Sequence, residues 1–113
     1  MIKILYIKNN NIQLTRGDTA RIQVPITNNA TGEEYILSDL DKLTMTVKKN
    51  ETDFKSLMQK TLTGTNSFYI TPSDTRNLSF GKYVYDVQLT TESGDVYTVI
   101  EPSVFEILKE VTW

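Results

Sequence analysis

The chain has 113 residues, of which 39% are hydrophobic and 23% are charged, a composition typical of globular domains. Twelve basic and fourteen acidic side chains give a net charge of -2. This balance disfavours nucleic acid or an anionic membrane as a main partner, because both attract a surplus of Lys and Arg. The sequence has neither Cys nor His, which excludes disulfides, thiolate metal sites and the commonest general base.

We predict a single domain over residues 1–113, since this length accommodates one hydrophobic core. Apolar and polar residues alternate at a period of two through most of it, as in strands with one buried face. The predicted strands are Ile2–Ile7, Ile12–Thr15, Ala20–Thr27, Leu43–Lys48, Phe54–Thr63, Ser67–Thr71, Tyr83–Thr90, Asp95–Ile100 and Val104–Lys109.

Four features of this pattern need a closer interpretation. Pro25 cannot donate a hydrogen bond to a ladder, so its strand is predicted at a sheet edge or bulge. Residues 54–63 also fit helical spacing, but a strand is favoured because their β-branched end runs into a turn at Gly64. Asn28–Gly32 is a predicted loop, and Glu92–Asp95 a hairpin turn in which Gly94 takes a positive φ.

The segment after residue 70 has the signals of a helix start. Thr71 can cap, Pro72 suits the first helical position, and Asp74 stands where the acid of a capping box would. We predict one helical turn through Leu78, ended by Gly81.

Many short strands with regular turns predict an all-β protein. The predicted architecture is an immunoglobulin-like antiparallel β-sandwich with Greek-key connections and one short helical turn near 72–78. The spacing of Asp74, Leu78, Gly81 and Tyr83 also resembles the cross-over corner of immunoglobulin-like domains, which implies that the Tyr83 hydroxyl bonds back to the corner backbone.

Several motifs are better explained by structure than by chemistry. Arg16-Gly17-Asp18 resembles an integrin-binding tripeptide, but a turn ahead of the next strand is favoured. The glycosylation triplets at Asn29, Asn50 and Asn77 are interpreted as polar loops, since the amino terminus is not typical of a signal peptide. The acidic pairs Glu33-Glu34 and Asp39/Asp41 lack the spacing of a calcium loop, so turn or capping roles are favoured.

No catalytic motif is visible, and the sequence predicts neither an enzyme nor a bound cofactor or metal. Aromatic residues are the remaining candidates for binding. If exposed, they would suit sugar stacking or a protein interface. They are Tyr6, Tyr35, Tyr69, Tyr97 and Trp113.

The elements, taken in order, resemble a known family. The residues that carry the resemblance lie in 16–19, 35–49, 68–70, 74–78, 81–89, 94–100 and 105–112. The pattern is similar to small β-sandwich domains of tailed bacteriophages and prophages of Gram-positive bacteria, such as the amino-terminal domain of upper baseplate proteins. The resemblance implies a structural protein of the virion tail, baseplate or capsid.

We therefore expect a non-enzymatic virion structural protein that binds other virion proteins or further copies of itself, and neither nucleic acid nor membrane. It would be found in the virion, or in the bacterial cytoplasm during assembly. Candidate binding or corner residues are Asp74, Tyr83 and Trp113, and Ile2–Ile7 and Val104–Lys109 are the expected sheet edges. The alternative is a module that binds carbohydrate or a cell surface.

Overall fold

The protein, described by a computed structural model over residues 3–6, 10–27 and 32–110, is all-β with one short helix. The alternation seen in the sequence accounts for the strands, because each one has a buried and an exposed face. In chain order the elements are strands β1 (Lys3–Tyr6), β2 (Ile12–Thr15), β3 (Ala20–Gln23), β4 (Lys42–Lys48), β5 (Met58–Thr63) and β6 (Ser67–Ile70), helix α1 (Pro72–Arg76), and strands β7 (Gly81–Thr90) and β8 (Val96–Leu108).

The strands form two sheets, one with the order β1-β3-β6 and one with the order β2-β8-β7-β4-β5. Most neighbouring strands are antiparallel, but β1 pairs parallel with β3 and β2 pairs parallel with β8. The prediction of purely antiparallel sheets is therefore wrong. Parallel neighbours need a long connection between them, and β2 finds its parallel partner at the far end of the chain, which a local pattern cannot show.

Side chains from both sheets share one hydrophobic core. Ile22 and Phe68 come from the three-stranded sheet, and both are fully buried. Tyr85 and Phe105, from the five-stranded sheet, meet edge to face with ring centroids 6.0 Å apart. The shared core explains why alternation persists in β4 and β7, whose inward residues all lose their contact with water.

Two prolines lie where the ladder does not need their missing N–H group. Pro25 follows β3, which ends at Gln23 and is the central strand of its sheet. The prediction of an edge or bulge position is wrong, because the strand ends before the proline. Pro102 lies inside β8, at an irregularity where Glu101 and Pro102 oppose the single residue Asp86. This bulge lets the predicted strands 95–100 and 104–109 continue as one strand.

The ambiguous segment 54–63 and the predicted helical turn after it both agree in part with the sequence prediction. Met58–Thr63 is a strand, as favoured, while residues 54–57 form an irregular connection before it. The predicted helical turn is present but ends at Arg76 with Asn77 as its C-cap, earlier than expected. Gly94 has φ 94° in the turn between β7 and β8, as predicted. Within the described ranges no helix is both long and apolar enough to cross a membrane.

Candidate interaction surface

The first half of β8 is an open sheet edge. β8 pairs with β7 along its length but with β2 only over Phe105–Leu108. Val96–Ile100 therefore faces no described strand on the side away from β7, and we call this segment the β8 edge. Unpaired N–H and C=O groups on such an edge can pair with an added strand.

The two edge strands expected from the sequence have different outcomes. Residues 2–7 include β1, which does lie at one edge of the three-stranded sheet. Residues 104–109 do not form an edge, so that prediction is wrong. Most of this segment lies between β2 and β7, and the Val104 N–H donates to Asn11 Oδ1 at 3.1 Å. The part of β8 that lacks a described neighbour on the side away from β7 is its preceding half.

Large apolar side chains lie exposed at the same end of the five-stranded sheet. On the β8 edge, Val96 is 57% exposed and Tyr97 is 55% exposed. The connection before β4 adds Ile36 and Leu40, which are 76% and 61% exposed. We call these four side chains the apolar end. Val96 and Tyr97 belong to the open edge itself, and exposed apolar side chains on an unpaired edge segment are typical of an interaction site.

Asp41 fixes the connection 35–41 onto the turn between β7 and β8. It is buried, and its Oδ2 accepts hydrogen bonds from the Tyr35 hydroxyl at 2.7 Å and the Ser38 N–H at 3.0 Å. Its Oδ1 accepts the Glu92 N–H at 2.9 Å, across to the turn. These bonds, the one from Tyr35 above all, lower the pKa of Asp41 to about 2 and raise that of Tyr35. The predicted turn role of this carboxylate is confirmed. The sequence did not indicate that Asp41 also accepts a hydrogen bond from Glu92 in the turn between β7 and β8.

The corner residues Asp74 and Tyr83 both have structural partners. Asp74 Oδ2 accepts the Thr71 N–H at 2.7 Å and pairs with Lys60 Nζ at 2.8 Å, which ties α1 to β5. Burial opposes its ionisation, but the bonds from Lys60 and Thr71 outweigh burial and lower the pKa of Asp74. The Tyr83 hydroxyl donates to Ser79 O at 2.7 Å, which is the back-bond that the resemblance to an immunoglobulin-like corner implied.

The Arg16-Gly17-Asp18 tripeptide lies in a turn, as favoured. The Asp18 N–H donates to Thr15 O at 3.1 Å, and Gly17 has φ 82°. The Arg16 guanidinium binds Glu110 through both Nε and Nη2, the latter at 2.6 Å from Oε1, and stacks 4.4 Å from the Phe80 ring centroid. Its charge is therefore engaged within the domain.

A groove of about 300 Å³ lies on the solvent face of the five-stranded sheet. Its floor includes one row of residues across three strands, because Thr46 on β4 faces Gln59 on β5 and Asp86 on β7. Phe54, from the connection before β5, and Pro102, from the bulge in β8, also line it. The sequence pattern marked these positions only as the outer face of the strands.

The remaining aromatic candidates differ in exposure. Tyr35 packs partly against the core, whereas Tyr69 and Tyr97 are partly exposed on β6 and β8. The side chain of Tyr6 and all of Trp113 lie outside the described residues. Within the described part of the chain, no group of three or more acidic side chains is placed to hold a metal ion.

No protein-family model matches this sequence, and no curated protein matches it.

Proposed function

We propose that this protein is a non-enzymatic structural component of a phage or prophage virion, and that it assembles by protein–protein contact at the β8 edge. We propose further that its two sheets form an immunoglobulin-like sandwich with Greek-key connections. The shared core and the hydrogen bond from Tyr83 to Ser79 support this architecture. The family resemblance of the sequence supports the virion context.

The observation that carries the proposal is the open edge at Val96–Ile100 beside the apolar end. A partner strand can extend the five-stranded sheet there through main-chain hydrogen bonds, while Val96 and Tyr97 provide apolar contact. The edge segment Val-Tyr-Thr-Val-Ile carries no charge and no proline, the features that usually protect an exposed edge against pairing. Because the segment lacks this protection, a strand of another protein can pair with it. We propose that this pairing is how the protein assembles into the virion.

Charge around the edge indicates the chemistry of the partner strand. Glu92, Asp95 and Glu101 are exposed on either side of the edge segment. A second copy paired at the same segment would place like charges near one another, which is unfavourable. The edge therefore favours an extended segment with apolar alternate residues and flanking Lys or Arg.

The experiment is site-specific photo-cross-linking in particles. A benzophenone amino acid replaces Tyr97 on the β8 edge, and in a matched control it replaces Tyr69, which is exposed on the other sheet. We expect the Tyr97 probe to cross-link to another virion protein in purified particles, and the Tyr69 probe to give no such product. Mass spectrometry of the particles identifies the partner.

Two results would overturn the proposal at different levels. If the protein is reproducibly missing from purified particles, the virion function is wrong. If it is present but both probes give the same products, the protein is structural and the β8 edge is not its contact surface.

A further inference from the structure

We propose that the groove on the solvent face of the five-stranded sheet is a binding site for a neutral oligosaccharide, with Asp86 as its main hydrogen-bond acceptor and Phe54 as its stacking platform. This site is separate from the β8 edge and does not depend on the virion function. The inference rests on a solvent-accessible carboxylate without a protein donor, on an exposed aromatic ring and on a bulge in the neighbouring strand.

Asp86 is a partly buried carboxylate without a hydrogen-bond donor among the described residues. It lies at the centre of the floor, opposite Thr46 on β4 and opposite the bulge at Glu101–Pro102 on β8. Burial raises its pKa, and the nearby charge of Lys48 only partly offsets this effect. The carboxylate oxygens remain accessible to solvent and receive no donor from the described protein, so a ligand hydroxyl can donate to them.

The neighbouring floor supplies further hydrogen-bonding groups. Gln59 Nε2 donates to Thr46 Oγ1 at 3.1 Å, which orients the amide along the row that leads to Asp86. Gln88 and Ser56 also line the groove. The lining therefore offers amides, hydroxyls and carboxylates, the donors and acceptors that bind sugar hydroxyls.

Phe54 provides an apolar surface beside this polar floor, and its side chain is fully exposed. The connection that carries it is fixed at both ends. The Asn50 N–H donates to Asp53 Oδ2 at 3.0 Å, and the Leu57 N–H donates to Val47 O at 2.8 Å. These bonds fix the backbone on either side of Phe54, and its exposed ring is available to stack on the C–H face of a sugar ring.

The bulge and the charges of the lining favour a neutral ligand. Pro102 has no N–H to contribute to the ladder, so the strand can bend away from Asp86 at this point. Lys48, Glu51 and Asp86 also line the groove and sum to a negative charge, which disfavours phosphate groups and acidic sugars. Neutral sugar hydroxyls meet no such repulsion.

The test is an NMR titration of the ¹⁵N-labelled full chain with chitotriose, cellotriose and maltotriose, and with trigalacturonate as an anionic comparison. We expect at least one neutral trisaccharide to shift the amide resonances of Thr46, Gln59 and Asp86, and trigalacturonate to leave them in place. Asp86→Asn should weaken binding by about tenfold, the loss that one hydrogen bond to a charged group represents. Phe54→Ala should also weaken binding by up to about tenfold, through the loss of the stacking contact.

The matched controls are Tyr69→Ala, an exposed aromatic on the other sheet, and Asp95→Asn, an exposed acid in the turn before β8. Both should bind as the unaltered protein does. The proposal is overturned if no neutral trisaccharide at about 10 mM, a concentration that detects even millimolar affinity, shifts the groove resonances. It is equally overturned if trigalacturonate binds as tightly, or if Phe54→Ala and Asp86→Asn bind unchanged.

Discussion

Tyr35 donates its hydroxyl hydrogen to Asp41 Oδ2 across 2.7 Å, which lowers the pKa of the carboxyl to about 2 from an ordinary value of 3.8. Because the folded-state pKa is lower than the unfolded one, ionised Asp41 stabilises the fold above pH 3.8. This contribution is lost as the pH falls through 3.8 towards 2. The apolar end depends on the same bond, since Ile36 and Leu40 belong to the connection that Asp41 fixes in place.

The first prediction follows from this linkage. The melting temperature should fall between pH 4 and pH 2, and Asp41→Asn should flatten that fall because the titrating group is gone. Calorimetry across this pH range measures the effect. Asp39→Asn, which removes an exposed carboxylate of the same connection, should keep the slope of the unaltered protein. Equal slopes in all three proteins would show that Asp41 does not control acid stability.

The second prediction concerns the corner. Tyr83→Phe removes the hydroxyl that donates to Ser79 O but keeps the buried ring. We expect the free energy of unfolding to fall by about 1 kcal/mol, the usual net value of one such hydrogen bond. Urea denaturation gives this quantity. Tyr69→Phe, on a partly exposed ring, should change it by much less, and a similar loss in both variants would contradict the corner as a stabilising feature.

The sequence predicted the strands well because burial of one face requires apolar and polar residues to alternate, a pattern that is visible over a few residues. Residues such as Ile22, Val47 and Val87 alternate with polar neighbours, and the structure buries each of them. The capping role of Asp74 was found for a similar reason, since Thr71 lies three residues before it, but its ion pair with Lys60 was not. The bond from Tyr83 to Ser79 was implied by the resemblance to an immunoglobulin-like corner.

The β8 edge and the groove, in contrast, could not be predicted from local sequence patterns. The β8 edge exists because β2, some 90 residues earlier, pairs with only the second half of β8. The groove depends on lateral register, which brings Gln59, Thr46 and Asp86 into one row from three separate segments. Alternation assigns each of these residues to a face but does not specify its neighbours on the adjacent strands.

The third prediction separates the stability role of Arg16 from an adhesive one. Arg16→Ala removes the contact with Phe80 and the pairing with Glu110. We expect a loss of about 1 kcal/mol in unfolding free energy, mainly from the cation–π contact. Attachment to integrin-bearing cells should not change, because the guanidinium is already bound within the domain. Lys55→Ala, at an exposed position outside the strands, is the stability control. A loss of cell attachment in Arg16→Ala would restore the adhesive interpretation of the tripeptide.

The fourth prediction concerns the β8 edge. Tyr97→Lys places a charge on the open strand, the feature that protects natural sheet edges against pairing. Because Tyr97 is more than half exposed, we expect the unfolding free energy to stay within about 0.5 kcal/mol of the unaltered value. Incorporation into particles, measured by quantitative mass spectrometry, should fall sharply. Tyr69→Lys is the matched control, and equal incorporation of both variants would count against the edge as the contact surface.

The fifth prediction concerns the approach of the connection 35–41 to the turn after β5. Gly64 has φ 74°, its N–H donates to Asp41 O at 2.9 Å, and a Cβ there would lie 3.3 Å from the Asp39 backbone. Gly94→Ala is the comparison, because Gly94 also has a positive φ but nothing lies within 4 Å of its Cβ position. This variant has backbone strain alone, so we expect its free energy of unfolding to fall by about 1 kcal/mol.

Gly64→Ala has the same backbone strain, and its Cβ would also crowd the Asp39 backbone. We therefore expect urea denaturation to show a larger loss of unfolding free energy, about 2–3 kcal/mol. Since Asp39 and Asp41 share one turn, this displacement should also loosen the bonds that Asp41 accepts from Ser38 and Glu92. Gly64→Ala should therefore show a flatter acid-dependence of its melting temperature than Gly94→Ala. Equal costs and equal slopes in the two variants would mean that the close approach at Gly64 does not hold the Asp41 connection in place.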